Sequence, residues 1–222
     1  MDMHDIAVQI AGQQSRWKLR QGTITAVAAD GTLSVTVAGS AVVVTGIKAL
    51  ASACPMVGAA IWLATDGRDL FGLGTILPVG PAAAAVVRTT DQSIPNDTAT
   101  TVNFLAAATV EFDTHGMWST SLTTRLTVKV PGYYLLTFQA AFEGDATGYR
   151  SAALQIGGED LATSRAPSPG NILAFPEVTT VRRLAVDDII QAAVRQNSGA
   201  ALALKAYTYT PRLSAHWLRG PT

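Results

Sequence analysis

The stretch VPGYYLLTF at residues 130–138 decides the fold of the larger part of this 222-residue chain. Its Pro-Gly pair at 131–132 is typical of a tight turn, so a strand is predicted to begin directly afterwards. Because successive side chains of a strand point to opposite faces, Tyr133, Leu135 and Thr137 share one face and positions 134, 136 and 138 the other. Both faces are mostly apolar, which predicts a sheet that packs on a second sheet and also on another subunit.

Short apolar segments separated by turn residues continue on both sides of that stretch. The breaks carry Pro, Gly, Asn and Asp, the residues that turns favour. The strands predicted in this half are 99–105, 110–113, 125–130, 133–143, 149–156, 177–184, 189–196, 202–210 and 213–218. Eight or more short strands in about 135 residues favour a two-sheet sandwich or a jelly roll.

A shorter β pattern comes before this half, and a helical one precedes that. Asp30-Gly31 is typical of a hairpin turn, and the strands predicted around it are 23–27, 33–37, 42–47, 60–63 and 70–76. Five short strands in about 55 residues predict a small closed barrel, since closure removes sheet edges. Apolar positions 3, 6, 7, 10 and 17 have helical spacing, and Gly22 predicts the helix end. This helix either packs on its own domain or docks on a partner chain.

The composition changes near residue 80, where Pro78, Gly80 and Pro81 precede an alanine run at 82–85. Proline and glycine in such a cluster are typical of a linker. We therefore predict an all-β protein with a short N-terminal helix, a small OB-like barrel and a jelly-roll β-sandwich. The predicted bounds are 1–20 for the helix, 21–79 for the barrel, 80–88 for the linker and 89–222 for the jelly roll.

Charge and apolar content exclude several classes of protein. Charged residues make up 14% of the chain and the net charge is zero, whereas a binder of nucleic acid or of anionic membranes needs a basic excess. No apolar run approaches the roughly 20 residues of a membrane helix. Asp2 and Asp5 stand where a signal peptide is basic, so we expect no secretory signal peptide. Cys54 is the single cysteine, which excludes an internal disulfide.

The second half resembles the jelly roll shared by the globular heads of the first complement component and tumour necrosis factor, in the form found on bacteriophage virion proteins. The motifs that carry this resemblance are DQSIPN at 91–96, VNF at 102–104, FD at 112–113, GMW at 116–118, RLTV at 125–128, VPGYYL at 130–135, GYR at 148–150, LQI at 154–156, LAVDD at 184–188, VRQNSG at 194–199 and LSAHWL at 213–218. The resemblance implies a homotrimer. Tyr133, Tyr207 and Tyr209 are the residues we predict at the trimer seam, although burial in the core suits Tyr207 and Tyr209 equally well.

The first half resembles the small oligonucleotide/oligosaccharide-binding (OB) barrels that occur in phage tail and baseplate components. GTI at 22–24, DGTL at 30–33, PMVG at 55–58, IWL at 61–63 and LG at 73–74 carry this resemblance. It implies anchoring to other virion proteins. Binding of nucleic acid is not expected, because Trp62 and Phe71 lie in apolar runs and Lys48 and Arg68 are the only basic residues of the barrel after Arg20.

Catalytic, metal and cofactor sites are not expected from the residue pattern. His4, His115 and His216 lack the spacing of a metal site, and Cys54 has no recognisable base to activate it. The acidic pairs at 159–160 and 187–188 suit turns better than calcium sites, because an Asp-rich loop with ligand spacing is missing. Calcium binding, known in some relatives of this jelly roll, stays open.

Surface recognition is the role that three other side chains suggest. His115, Trp118 and Tyr149 are predicted at turns or strand starts, where aromatic rings can stack on sugars. Tyr149 also belongs to a motif of the resemblance, so a structural role suits it as well. The segment 162–175 is predicted as a long loop, used either for recognition or as a brace between subunits.

Together these observations predict a structural protein of a bacteriophage particle and not an enzyme. We expect a trimeric minor tail or tail-tip protein that contributes to attachment to host-surface glycans, located in the virion after assembly in the host cytoplasm. Trimerisation suits attachment because three weak sites on one unit gain avidity. The alternatives are a head decoration or spike protein bound to the capsid and a carbohydrate-active enzyme.

Overall fold

The computed structural model describes residues 18–49, 55, 57–65, 69–75, 81–105, 107–208 and 210–220. These residues form strands joined by turns, with no helix among them, and so they include no helix able to cross a membrane. The chain divides into two compact units, Met1–Pro78 with Gly220–Thr222 and Val79–Arg219. The all-β prediction is confirmed.

The first unit contains a closed five-stranded barrel in the order β1-β2-β3-β5-β4. Its strands are β1 Lys18–Val27, β2 Leu33–Val37, β3 Val43–Ala49, β4 Ala60–Thr65 and β5 Leu70–Thr75. Neighbouring strands are antiparallel except β3 and β5, which are parallel. Alternate side chains fill the interior, including Ile24, Leu33, Val35, Ile61 and Leu63. The predicted small closed barrel is confirmed.

The predicted helix at 1–20 is wrong at its C-terminal end. Residues 18–20 are the beginning of β1, where Lys18 pairs with Thr65, and residues 1–17 lie outside the described part. Gly22 does not end a helix. It lies inside β1, and a Cβ there would be 2.5 Å from Val35 Cγ1 and 2.9 Å from Leu63 Cδ1. The glycine is required by close packing across the barrel.

The second unit is a jelly-roll sandwich of two main sheets. Its strands are β6 Ala83–Val87, β7 Gln92–Ile94, β8 Thr100–Thr101, β9 Thr109–Asp113, β10 Leu126–Thr127, β11 Gly132–Gln139, β12 Tyr149–Ile156, β13 Glu159–Pro167, β14 Glu177–Leu184, β15 Ile189–Gln196, β16 Leu202–Leu204 and β17 Arg212–Arg219. The first sheet has the order β14-β11-β17-β6-β9. The second has the order β10-β15-β12-β13, with β8 also paired to β15. The chain passes between these two sheets after β8, β9, β10, β11, β13 and β14, and it reaches β17 from β15 through β16, which pairs with β7 in a separate two-stranded sheet. This repeated crossing is the path of a jelly roll.

The central strand β11 has the two faces that its sequence predicts. Tyr134, Leu136 and Phe138 are buried between the sheets, and the Tyr134 hydroxyl donates a 2.6 Å hydrogen bond to the Val130 carbonyl. The residues between them are half-buried. One face therefore belongs to the core of the sandwich, and the other is the outer surface of the first sheet.

Residues 83–87 form a strand where a linker at 80–88 was predicted. This strand, β6, lies between β17 and β9 and pairs with both. Ala84 and Ala85 are fully buried there. The second unit therefore includes β6, ahead of the predicted start of the jelly roll at 89. The alanine run therefore lies in a strand and not in a helix. Its small side chains fit between the two neighbouring strands of the sheet.

Two further predictions about the second unit need correction. The first part of the predicted loop at 162–175 is strand β13, which pairs with β12 along its length. The predicted strand at 202–210 ends at Leu204, and Tyr207 lies in a turn that bridges to Thr210. Tyr209 lies outside the described residues. Tyr207 therefore does not lie on the strand predicted for it.

Candidate functional site

The outer face of the first sheet carries two rows of uncharged side chains that cross neighbouring strands. The register places one row along β14, β11, β17 and β6, namely Val181, Leu135, His216 and Ala83. The next row also reaches β9 and consists of Thr179, Thr137, Ser214, Ala85 and Phe112. The Thr137 and Ser214 hydroxyls hydrogen-bond to each other. With His216 neutral, these rows form an uncharged band, which we call the outer band.

Charged residues border the outer band at both ends. At one end Arg183 and Arg219 flank Tyr133, and the Arg219 guanidinium lies 4.3 Å from the centre of the Tyr133 ring. At the other end Arg212 pairs with Glu111 through Nε and Oε2, 2.7 Å apart. An uncharged centre with a charged border is the pattern of a protein–protein interface.

His216 is the one titratable side chain within the outer band. Its ring lies 5.2 Å from the Phe112 ring, centre to centre. Burial lowers the pKa of His216 below its ordinary value of 6.5, and the positive charge of Arg212 lowers this pKa further. The neutral form is thus favoured, and the band stays uncharged at neutral pH.

Of the tyrosines predicted at a trimer seam, the two that the structure describes, Tyr133 and Tyr207, are not brought together. Tyr133 lies at the start of β11, opposite Arg219 at the end of β17. Tyr207 precedes the other end of β17, where its half-exposed ring lies 5.9 Å from the Phe175 ring. The eight residues of β17 separate these ends by about 26 Å. Tyr133 adjoins the outer band and Tyr207 lies beyond it.

Two of the residues predicted for surface recognition belong to a turn held by Asp113. The Asp113 carboxylate accepts the backbone N–H groups of Met117 and Trp118, each at 2.9 Å. Trp118 is half-buried and meets the Phe104 ring edge-on, 6.2 Å between centres. His115 is half-buried with Nδ1 2.8 Å from the Thr114 hydroxyl, and burial lowers its pKa. These contacts give both His115 and Trp118 a structural role.

Tyr149, the third predicted recognition residue, lies far from that turn and in a chain of polar contacts. Its hydroxyl donates to Asp97 Oδ1 at 3.2 Å, and the same oxygen is 2.9 Å from Arg195 Nη2. The Arg165 guanidinium lies 4.1 Å from the centre of the Tyr149 ring. The four side chains Arg165, Tyr149, Asp97 and Arg195 therefore form one cluster, which we call the Tyr149 cluster.

Next to the Tyr149 cluster, the outer face of the second sheet forms a groove of about 100 Å³. The register explains its shape. Ser151 on β12 lies between Arg165 on β13 and Arg195 on β15, and Ala153 lies between Thr163 and Ala193. Small residues on the middle strand form the floor, and longer residues on the flanking strands form the walls. At its far end Gln155 Nε2 donates to Asp160 Oδ1 at 2.8 Å.

Sequence patterns did not reveal the groove, because Arg165 falls in a segment predicted as a loop. The one available signal was Gly157-Gly158, a two-residue hairpin turn directly after a predicted strand. Such a turn indicates an antiparallel partner strand, which is β13. The alternation in residues 159–167 is between small and polar side chains, so hydrophobic periodicity could not show the strand.

The acidic pairs have structural partners. Asp160 accepts from Gln155, and Asp188 Oδ2 accepts the Ala185 N–H at 2.8 Å in a turn where Asp187 has a positive φ of 69°. Across the described ranges, no three His, Cys, Asp or Glu residues are grouped so that they could hold a metal ion.

The barrel differs from expectation in its aromatic residues. Trp62 and Phe71 are 40% and 39% exposed, although their apolar surroundings in sequence predicted burial. Alternation explains this, because Ile61 and Leu63 occupy the interior and Trp62 points outward. Because Trp62 and Phe71 are exposed, the expectation that they are buried gives no reason against nucleic-acid binding. Nucleic-acid binding by the barrel is still not expected, because the barrel lacks a basic excess.

Comparisons with known proteins concern the fold. No protein-family model and no curated protein matches the chain. Among solved structures, the chain is similar to Eiger, a TNF from S. frugiperda, with 15% identity over 64% of this chain and 96% of that one and a TM-score of 0.49. It is also similar to murine APRIL, with 19% identity over 62% of this chain and 99% of that one, TM-score 0.46. The globular domain of zebrafish complement 1qA has 17% identity, with 62% and 97% covered, TM-score 0.43. These similarities assign no ligand, receptor or assembly to this chain.

Proposed function

We propose that this chain is a non-enzymatic structural protein of a bacteriophage particle. It forms a homotrimer and acts as a minor tail or tail-tip protein in attachment to host-surface glycans. The sequence motifs that resemble virion jelly rolls support the setting. The observation that carries the trimer is the outer band, an uncharged surface on a sheet whose other face is already buried in the core.

The charges around the outer band favour assembly of the chain with copies of itself. The border of the outer band includes arginines 183, 212 and 219 and glutamates 111 and 177, so one copy can offer both signs to the next. The chain has no net charge, and neutral chains do not repel one another. The half-buried or exposed members of the two rows, such as Leu135, Val181 and Phe112, would lose contact with water on assembly, whereas Ala85 and Ser214 are already buried in the single chain. Apolar burial of this kind stabilises association.

The first test is the native mass of the chain, measured by light scattering. A trimer of the 23.1 kDa chain has a mass of about 69 kDa. Leu135→Glu places a charge in the middle of the outer band, on the side of β11 that faces away from the core. We expect this variant to be a folded monomer. The free energy needed to bury an unpaired carboxylate in the seam exceeds the free energy that association of the seam provides.

Leu122→Glu is the matched control, because Leu122 is 41% exposed and lies in a loop outside the first sheet. It should remain trimeric. A monomeric wild type, or a Leu135→Glu variant that stays trimeric, contradicts the proposed seam.

Cryo-electron microscopy of particles carrying a tagged chain then tests its location. Density at the tail tip supports the attachment protein, density on the capsid supports the decoration protein, and absence from particles contradicts both.

A further inference from the structure

We propose that the groove beside the Tyr149 cluster binds the carboxylate-bearing end of an acidic sugar, with Arg165 as the group that pairs with the carboxylate. This inference rests on the proposed attachment function and names the class of glycan. The carrying observation is the row Arg195, Ser151 and Arg165, in direct register across three strands. With strands about 4.8 Å apart, the two arginines stand roughly 10 Å from each other across a small residue.

Arg165 is available for an external anion. It is exposed, and within the described part of the chain it forms no ion pair and no hydrogen bond. It contacts the face of the Tyr149 ring, with the guanidinium carbon 4.1 Å from the ring centre, and such a contact leaves the N–H groups of an arginine able to donate. A guanidinium edge matches the two oxygens of a carboxylate, so a bidentate pair can form.

Arg195, on the opposite wall of the groove, already pairs with an acidic side chain. Nε and Nη2 both contact Asp97 Oδ1, at 3.1 Å and 2.9 Å. The ion pair fixes the position of this side chain and offsets its charge. Arg165 therefore supplies the unbalanced positive charge beside the groove, and Arg195 supplies a fixed wall whose remaining N–H groups can still donate.

The rest of the groove suits hydroxyl groups. The Thr163 hydroxyl is exposed on β13, and the Gln155 amide and Asp160 carboxylate form the far end. Sugar hydroxyls both donate and accept, so they can pair with such a mixed set. Asp160 also repels a multiply charged group such as phosphate, which favours a monoanionic ligand with many hydroxyls. A groove of about 100 Å³ has room for part of one sugar unit.

The test uses two probes that differ only in the acid group, methyl glucuronide and methyl glucoside, together with a panel of hexuronic and sialic acids. Binding to the full chain is measured by calorimetry and NMR at low ionic strength. We expect binding of at least one acidic sugar, weakened about tenfold or more in its neutral counterpart or in Arg165→Met, since a charge-assisted pair is lost. Thr163→Trp, which fills the groove without changing charge, should abolish binding.

Arg182→Met is the matched control, because Arg182 is an exposed arginine on β14 of the other sheet. It should bind like the wild type. The inference is overturned if no acidic sugar binds, if the neutral sugars bind equally well, if phosphate binds more tightly, or if Arg165→Met has no effect. The mass of each sample is measured alongside. A trimer without sugar binding refutes this inference alone, whereas a monomer refutes the proposed trimer separately.

Discussion

At the scale of single residues, Arg150 shows how a buried charge shapes a surface site. Among the residues that the structure describes, it is the largest fully buried side chain, and it points into the sandwich from β12. Nη1 donates to the carbonyls of Thr147 and Tyr149 at 2.9 and 3.0 Å, and Nη2 to that of Asp145 at 3.1 Å. The guanidinium therefore holds the turn that presents Tyr149. Tyr149 and Arg150 are neighbours in sequence, but Tyr149 is half-buried on the outer face of the sheet, whereas Arg150 is fully buried and supports the turn from inside.

Replacing Arg150 by Met should lower the free energy of unfolding of the second unit by about 2–4 kcal/mol. Most of the side-chain volume is kept, but the carbonyls of the turn lose their donors and Asp145 loses its ion pair. Chemical denaturation followed by fluorescence measures the change. Arg165→Met, at an exposed position, should change stability by less than about 1 kcal/mol. Equal effects of the two substitutions would refute the bracing role of Arg150.

At the scale of the element, small residues decide which strands can lie side by side. In β6 the alanine run lets β17 and β9 pair on either side of a strand whose side chains take little space. In β1 the missing side chain of Gly22 lets β2 and β4 close the barrel. The alanine run of β6 has no apolar period that marks it as a strand, and it was predicted as a linker. In β1, residues 23–27 were predicted as a strand, whereas residues 18–20 were assigned to a helix and Gly22 to its end.

Gly22→Ala should destabilise the barrel by about 1–3 kcal/mol, because the new methyl group would overlap Val35 and Leu63 and also the Thr36 carbonyl oxygen. Hydrogen exchange of the amides of β1 and β4 measures the loss, and the second unit serves as an internal reference. Gly39→Asn is the control, since its Cβ meets nothing within 4 Å and Asn tolerates the positive φ of 84°. Unchanged exchange in Gly22→Ala would show that the barrel can relax around a methyl group.

At the scale of the whole molecule, neutrality and an uncharged sheet face favour self-assembly. The same features make the proposed trimer sensitive to acid. His216 faces Leu135 of β11, Ala83 of β6 and Phe112 of β9, and the charged groups near it are Arg212 and its partner Glu111. A proton on His216 would place a positive charge beside Arg212 in the middle of the seam.

Acidification should therefore weaken the trimer. The pKa of His216 is lowered in the folded chain, so both folded and unfolded forms are neutral well above 6.5 and stability is complete there. As pH falls below 6.5 it reaches the lowered pKa of the separate folded chain. Because burial in the seam would lower the pKa of His216 further, the separate chain takes up the proton first and the trimer is weakened. Light scattering from about pH 7.5 to about pH 5 should show the mass falling. His216→Phe should stay trimeric over this range, whereas His115→Phe should keep the wild-type response. A pH-independent wild type would contradict the seam position of His216.

The sequence by itself determined the β class, the closed barrel and the sandwich. It could do so because period-two alternation at 133–138 and at 33–37, with Pro and Gly turns between, leaves strands few other ways to bury one face. Where apolar alternation is absent, as in 83–87 and 159–167, the sequence did not show the strands.

Only the tertiary structure decided which side chains meet. Arg195, Ser151 and Arg165 are far apart in sequence and become one row because β12 pairs with β15 on one side and β13 on the other. The outer band likewise depends on the order of five strands in one sheet. The physical reason is that strand order and register are set by the summed packing of all strands, so a site built across them is not encoded in any one segment.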